Sequence, residues 1–182
     1  MGLTAVVQLA LVRAVDRELL AVVQSITRPE LDVLGSIVTV FGQAEVTAGL
    51  AAGLVVARLW KRKGDFWVPL AIALVVVIET IVKLTVAQSL PPRDVHRDLG
   101  LFPGVGVPFV HSFPSGHVAR DTFLLLIAHG WSRIAIGLAL AVVALSRVYT
   151  GQHWPSDVVG GLLLGAAVAW VAVAVARRPR EA

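Results

Sequence analysis

The 182-residue chain has no cysteine, one tyrosine and one methionine. Without thiols it forms no disulfide, runs no thiolate chemistry and builds no zinc–thiolate site. Charge is scarce too: Asp, Glu, Lys and Arg make up 15% of residues, against about a quarter in ordinary soluble domains. Mean hydropathy is +0.80, and no repeat or low-complexity tract accounts for it. Gly104-Val-Gly106 is not a nucleotide loop, because the flanking strand and helix signature is missing. A cleavable leader is not expected. Arg13, Asp16, Arg17 and Glu18 interrupt the first apolar stretch, and no small-residue cleavage site follows it.

What the chain does have is long apolar runs. Val158–Ala176 carries no charge over nineteen residues, close to the roughly twenty that cross a bilayer. Residues 66–90 are interrupted only by Glu79 and Lys83. Stretches at 44–60, 115–130 and 132–150 are shorter but extend past single polar residues. This pattern predicts an all-α integral membrane helical bundle of five to six transmembrane helices. Residues 1–182 read as one domain with its core over 35–176. Residues 4–26 form an amphipathic or marginally spanning helix, ended by Arg28-Pro29, and Glu30–Phe41 follows as a short amphipathic piece.

The charges orient these spans. RLWKRK supplies Arg58, Lys61, Arg62 and Lys63, Arg133 marks the next loop on that side, and Arg177, Arg178 and Arg180 follow the last helix. Positive charge collects on the cytoplasmic side, so the loop of residues 91–114 should face outward. The net charge of +4 follows from this bias, and no nucleic-acid partner is expected.

Nearly all the unusual polar residues then fall at the outward end. HSFPSGHVARD, residues 111–121, crowds His117, Arg120 and Asp121 around a Pro-Ser-Gly turn, while Lys83, Arg147, His153 and Asp157 end or open other helices. Ionisable groups at membrane depth are costly and mark function by default. Snorkelling to headgroups could account for Lys83 alone, but it needs neither histidine nor aspartate. A helix opening at Ser115-Gly116-His117 offers unpaired N–H groups and a positive dipole end to an anion. Arg147 can fork onto phosphate oxygens and Lys83 adds a point charge. An aspartate four residues after a histidine can fix which ring nitrogen is free. His153 then reads as nucleophile, Asp157 as its orienter and His117 as general acid.

These residues resemble the type 2 phosphatidic acid phosphatase (PAP2) family. Its second motif, PSGH, stands at Pro114–His117, and its third, S-R-x5-H-x3-D, stands complete as SRVYTGQHWPSD from Ser146 to Asp157. The resemblance implies a metal-independent, cofactor-free mechanism through a phosphohistidine on His153, with Asp157 and His117 in the roles above. Lys83, Ser115, Gly116 and Arg147 would bind the phosphate. The first motif departs from the family's K-x6-R-P: KLTVAQSLPPR keeps Lys83 but puts Leu90 in the arginine slot. Arg93, beyond Pro91-Pro92, is expected to supply the missing contact. Arg120 is the other candidate, expected to act mainly through stability.

Among the other polar residues, Glu79 and Lys83 stand i,i+4 and are expected to pair. Asp121 is a candidate to tune His117 or a plain helix-start charge. Asp94, His96, Asp98 and His111 read as solvated loop residues, and His129 as interfacial. Gly49-x3-Gly53 and Gly161-x3-Gly165 should pack internally. The expected function is hydrolysis of a lipid phosphate or diphosphate: undecaprenyl diphosphate, phosphatidic acid or phosphatidylglycerol phosphate. The enzyme would be multi-pass in the plasma membrane, with its site on the extracytoplasmic face. The rival is a catalytically weakened PAP2-like lipid-binding or lipid-transport protein. Nothing in the sequence sets the oligomeric state.

Overall fold

A computed structural model describes residues 9–102, 104, 109–128 and 130–178. Within them the chain forms seven α-helices: α1 Ala10–Gln24, α2 Pro29–Phe41, α3 Ala44–Trp60, α4 Ile72–Thr85, α5 Gly116–Ile127, α6 Arg133–Tyr149 and α7 Pro155–Ala176. A 3-10 turn, Val68–Ala71, leads into α4. Proline opens α2 and α7, where its missing N–H costs nothing and its fixed φ suits the first turn. His129 and part of the 91–114 loop lie outside the described residues.

Two stretches are by themselves long and apolar enough to cross a membrane, Val68–Thr85 and Pro155–Ala176. α2 and α3 qualify as a third when joined through a 50° bend. That bend falls at Gly42, where a Cβ would come within 2.7 Å of the His117 Cβ and 2.9 Å of Asp121 Oδ2. Only glycine leaves α5 that room. α6, of 17 residues, is the other long member of this all-helical membrane bundle.

α5 is the centre. Nine of its twelve residues are buried, although at 1.5 Å per residue it reaches only about 18 Å. Its main partner is α7, and the Gly161-x3-Gly165 spacing makes the fit: a Cβ on Gly161 would stand 2.5 Å from Ser115 O, and one on Gly165 would collide with Ala119 O. Around that seam lie Val75, Val118, Phe123 and Ile127, all essentially inaccessible. The Gly49-x3-Gly53 spacing, expected to pack the same way, does not. Both positions face open space on α3.

α1 is amphipathic and, where described, is fastened at two points to one end of the bundle. Asp16 accepts from the Ser156 N–H and hydroxyl at 2.8 and 2.7 Å, and Gln24 Nε2 donates to Val95 O and Tyr149 O at 2.8 and 2.9 Å. Both anchors lie at the end where α6 finishes and α7 begins, so α1 is laid across that end.

Candidate active site

The turn between α6 and α7 is set by its backbone. Gly151 takes φ +69°, and its N–H and that of Gln152 bond Val148 O and Arg147 O at 3.0 and 3.2 Å. This is the Schellman way to end a helix, and it favours glycine at the left-handed position. A Cβ there would also strike Val95 O. The next residue follows the same path: the His153 N–H reaches Arg147 O at 3.3 Å. The five-residue gap between Arg147 and His153 is thus one helix end and one tight turn.

Asp157, in the first turn of α7, is completely buried. Its Oδ2 lies 3.2 Å from His153 Nδ1 and accepts the Trp154 N–H at 2.9 Å. Its Oδ1 accepts from Ser112 Oγ and Gln88 Nε2, each at 3.2 Å. A carboxylate held by four donors cannot swing. With Nδ1 donating to it, the lone pair of His153 sits on Nε2, free for attack. Burial pushes the His153 imidazole down to about 4, against the upward pull of Asp157. It is therefore neutral at ordinary pH.

Ser115 caps α5, with its backbone N–H donated to Asp157 O at 2.9 Å. That bond ties the Ser-Gly-His turn to the His153–Asp157 pair. Gly116 was expected to let a ligand approach the backbone. The Glu79 carboxylate occupies that space instead, and a Cβ would overlap it. Glu79 does not pair with Lys83 either. It binds Arg120 Nη1 at 2.6 Å, while Arg120 Nε and Nη2 donate to Gly42 O at 3.3 and 2.9 Å. Across helices the planar guanidinium reaches two acceptors at once, which outweighs the one-turn lysine contact. Arg120 is fully engaged.

Lys83 Nζ, buried, donates to Ser112 O at 3.1 Å and lies 5.3 Å above the Phe109 ring. Arg147, also buried, donates Nη1 to Thr39 Oγ1 at 2.9 Å and Nη2 to Gln152, whose amide reaches Asp98. His117 lies within Coulombic range of Arg147, Arg120, His153 and Lys83. Two donors in this shell, Ser115 Oγ and Arg147 Nε, are buried without a partner among the described residues. A buried donor left unmatched is costly, and a phosphate oxygen would satisfy either. Arg93 stands apart, exposed on the 3-10 turn Arg93–Val95. Asp98 and His111, expected to be solvated, have partners: His111 Nδ1 bonds Lys83 O at 2.8 Å.

The sequence reading missed Ser112, Gln88, Thr39, Gln152 and the Asp16–Ser156 tie. Each is an uncharged or distant residue with no motif of its own. The only available signal was proximity in sequence: Ser112 three residues before Ser115, Gln152 beside His153 and Ser156 beside Asp157.

Comparison with known proteins places these residues in context. Residues 64–181 match the family model described as the PAP2 superfamily. An undecaprenyl-diphosphatase from Sulfolobus acidocaldarius is 32% identical over 123 residues, 64% of this chain and 58% of that protein. The chain thus spans under two thirds of that curated relative. A transmembrane PAP2 type phosphatidylglycerolphosphate phosphatase from Bacillus subtilis shares the fold, with a TM-score of 0.76 over 98% of this chain and 93% of the other at 18% identity. LpxE of Aquifex aeolicus matches with a TM-score of 0.67 over 86% and 93% of the two chains at 26% identity.

Proposed function

The chain belongs to the PAP2 superfamily, and from that premise we propose that it is a membrane lipid phosphatase working through a phosphohistidine. One observation carries the reading: His153 is held by a fully buried Asp157 beside two buried donors, Ser115 Oγ and Arg147 Nε, that have no partner among the described residues. His153 Nε2 attacks phosphorus, forming the N–P bond as the bond to the leaving oxygen breaks. His117 gives its proton to that oxygen, and water then cleaves the phosphohistidine. Arg147, Lys83, the Ser115 hydroxyl and the Gly116 N–H neutralise the oxygens whose charge grows in the transition state. Asp157 keeps the imidazole in the reactive tautomer. The substrate class is a lipid phosphate or diphosphate, with undecaprenyl diphosphate, phosphatidic acid and phosphatidylglycerol phosphate as candidates. The site lies on the extracytoplasmic face of the plasma membrane.

A second reading, lipid binding without efficient turnover, draws on one observation. Leu90 holds the first-motif arginine slot, and Arg120 is committed to Glu79 and Gly42. Phosphate release by the purified protein over those three lipids separates the readings. Turnover abolished in His153→Ala and reduced by orders of magnitude in Asp157→Asn supports the enzyme; an orienting carboxylate is worth roughly 10⁴-fold in the serine-protease precedent. Residual activity above a few per cent in His153→Ala on every lipid would remove the nucleophile assignment.

A further inference from the structure

At the end of the bundle away from His153 lies a cavity of about 500 Å³. Among the described residues four cations line it, Arg58, Lys63, Arg177 and Arg178, against one carboxylate, Asp65. Asp65 is already engaged, 3.2 Å from Arg58 Nη1. The floor is apolar, from Val68 of the 3-10 turn and Val173 and Ala176 of α7. Its volume falls in the range of ligand sites, about 300–1,000 Å³. The combination of a greasy floor and a cationic rim is specific: it suits a molecule that is apolar at one end and anionic at the other.

The rim is built into the fold. Arg58 is 5% exposed and clamps Ile127 O, the last carbonyl of α5, at 2.7 Å. α3 ends at Trp60 in a Schellman turn, with Arg62 at φ +51°, the Arg62 N–H on Leu59 O at 2.8 Å and the Lys63 N–H on Arg58 O at 2.9 Å. That turn fixes the backbone of Lys63 at the cavity. Arg177 and Arg178 follow directly on α7, their N–H groups bonded back to Val173 O and Val175 O at 3.1 and 3.2 Å.

The depth is marked independently. Trp60, at the end of α3, and Trp131, two residues before α6, are 88% and 58% exposed. Exposed tryptophans at helix ends belong to the interfacial belt, at the level of lipid headgroups. Basic pockets between helices at that level hold anionic headgroups.

We infer that this cavity binds the headgroup of an anionic phospholipid, with Lys63, Arg177 and Arg178 on the phosphate and the acyl chains leaving along the apolar floor. The site is separate from the catalytic one and does not rest on the phosphatase reading. No chemistry occurs there; the lipid would hold the α3–α4 turn to the end of α7.

The test uses the full chain in nonionic micelles, with thermal midpoint as the readout. Dioleoyl phosphatidylglycerol should raise the midpoint by about 3 °C or more, as expected for a ligand that binds only the folded state, while dioleoyl phosphatidylcholine should not. The triple variant Lys63→Gln, Arg177→Gln, Arg178→Gln should lose most of that rise. The control Lys61→Gln, Arg62→Gln removes two cations of the same loop that do not line the cavity, and should keep it. Midpoints in phosphatidylcholine alone check that both variants fold, and native mass spectrometry should count one fewer retained phosphatidylglycerol on the triple variant. A rise kept by the triple variant, or lost equally from the control, would overturn the site. If glycerol 3-phosphate or inorganic phosphate alone gave the same rise, the ligand would be a soluble anion and the lipid assignment would fall.

Discussion

Arg120 and Arg93 were both candidates for the contact that Leu90 cannot make, and their surroundings now separate them. Arg120 forms a buried pair with Glu79 at 2.6 Å, and removing one partner of such a pair costs about 3–5 kcal/mol, because the other is left buried and uncompensated. Arg120→Ala should lower the thermal midpoint sharply, and Glu79→Gln, which keeps the shape, should lower it less. Arg93 is exposed, and among the described residues no hydrogen bond or ion pair ties its side chain to the site. It contributes only if it folds over bound substrate, in which case Arg93→Ala lowers kcat/KM at least tenfold, about 1.4 kcal/mol, at an unchanged midpoint. Unchanged kinetics would leave the site with a reduced cradle, and Leu90→Arg should then raise turnover. His153 gives a pH test with a defined sign. Its imidazole sits at about 4 in the folded chain and near 6.5 unfolded, so the unfolded state binds more protons between those values. Its contribution to stability is complete above about pH 6.5 and is lost as pH falls through 4. The wild-type midpoint should fall more steeply than that of His153→Ala across this window and run parallel to it above pH 7.

Glycines decide how the elements meet, and the same residue type predicts opposite outcomes at different positions. Gly165 lies against Ala119 O and 2.7 Å, as a built Cβ, from the Thr122 Cβ. Gly165→Ala should wedge α7 from α5 and cost about 1–3 kcal/mol by overpacking. At Gly116, alanine would displace the Glu79 carboxylate and loosen Arg120, so activity and midpoint should fall together. Gly49 and Gly53 face open space on α3, so alanine at either should raise stability by about 0.5–1 kcal/mol through the lost flexibility of the unfolded chain. A midpoint series over the four alanine variants checks the ranking. If Gly49→Ala destabilised as Gly165→Ala does, α3 would have a partner that the monomer lacks.

At the scale of the molecule the two ends of the bundle differ in kind. One holds the His153–Asp157 pair, the α5 N-terminus and α1 laid across them; the other holds RLWKRK, Arg133 and Arg177-Arg178. Positive charge marks the cytoplasmic end, so a cysteine at Val110, 80% exposed beside the site, should be labelled from outside intact cells. One at Trp60, 88% exposed at the other end, should be labelled only after permeabilisation. The reverse pattern would turn the site inward and make the substrate an inner-leaflet lipid.

The sequence by itself determined the class of fold, because long uncharged runs have few stable solutions outside a helical bundle in lipid. It also singled out the candidate polar residues, because polar groups stand out against such a background. The grouping of Arg147, His153 and Asp157 was legible from spacing, since a helix end and a tight turn fix neighbours within one short segment, and His117 was legible as a residue that opens a helix. Pairings across helices were not legible. Glu79 takes Arg120 in place of Lys83, Gly42 makes room for His117, and Ser112 and Gln88 hold Asp157 from 45 and 69 residues away in sequence. Such contacts depend on how helices are rotated and how deeply they sit against one another, and no local pattern encodes either. The outward-facing Gly49-x3-Gly53 and the inward-facing Gly161-x3-Gly165 are the same motif. Only packing decided which one closed on a neighbour.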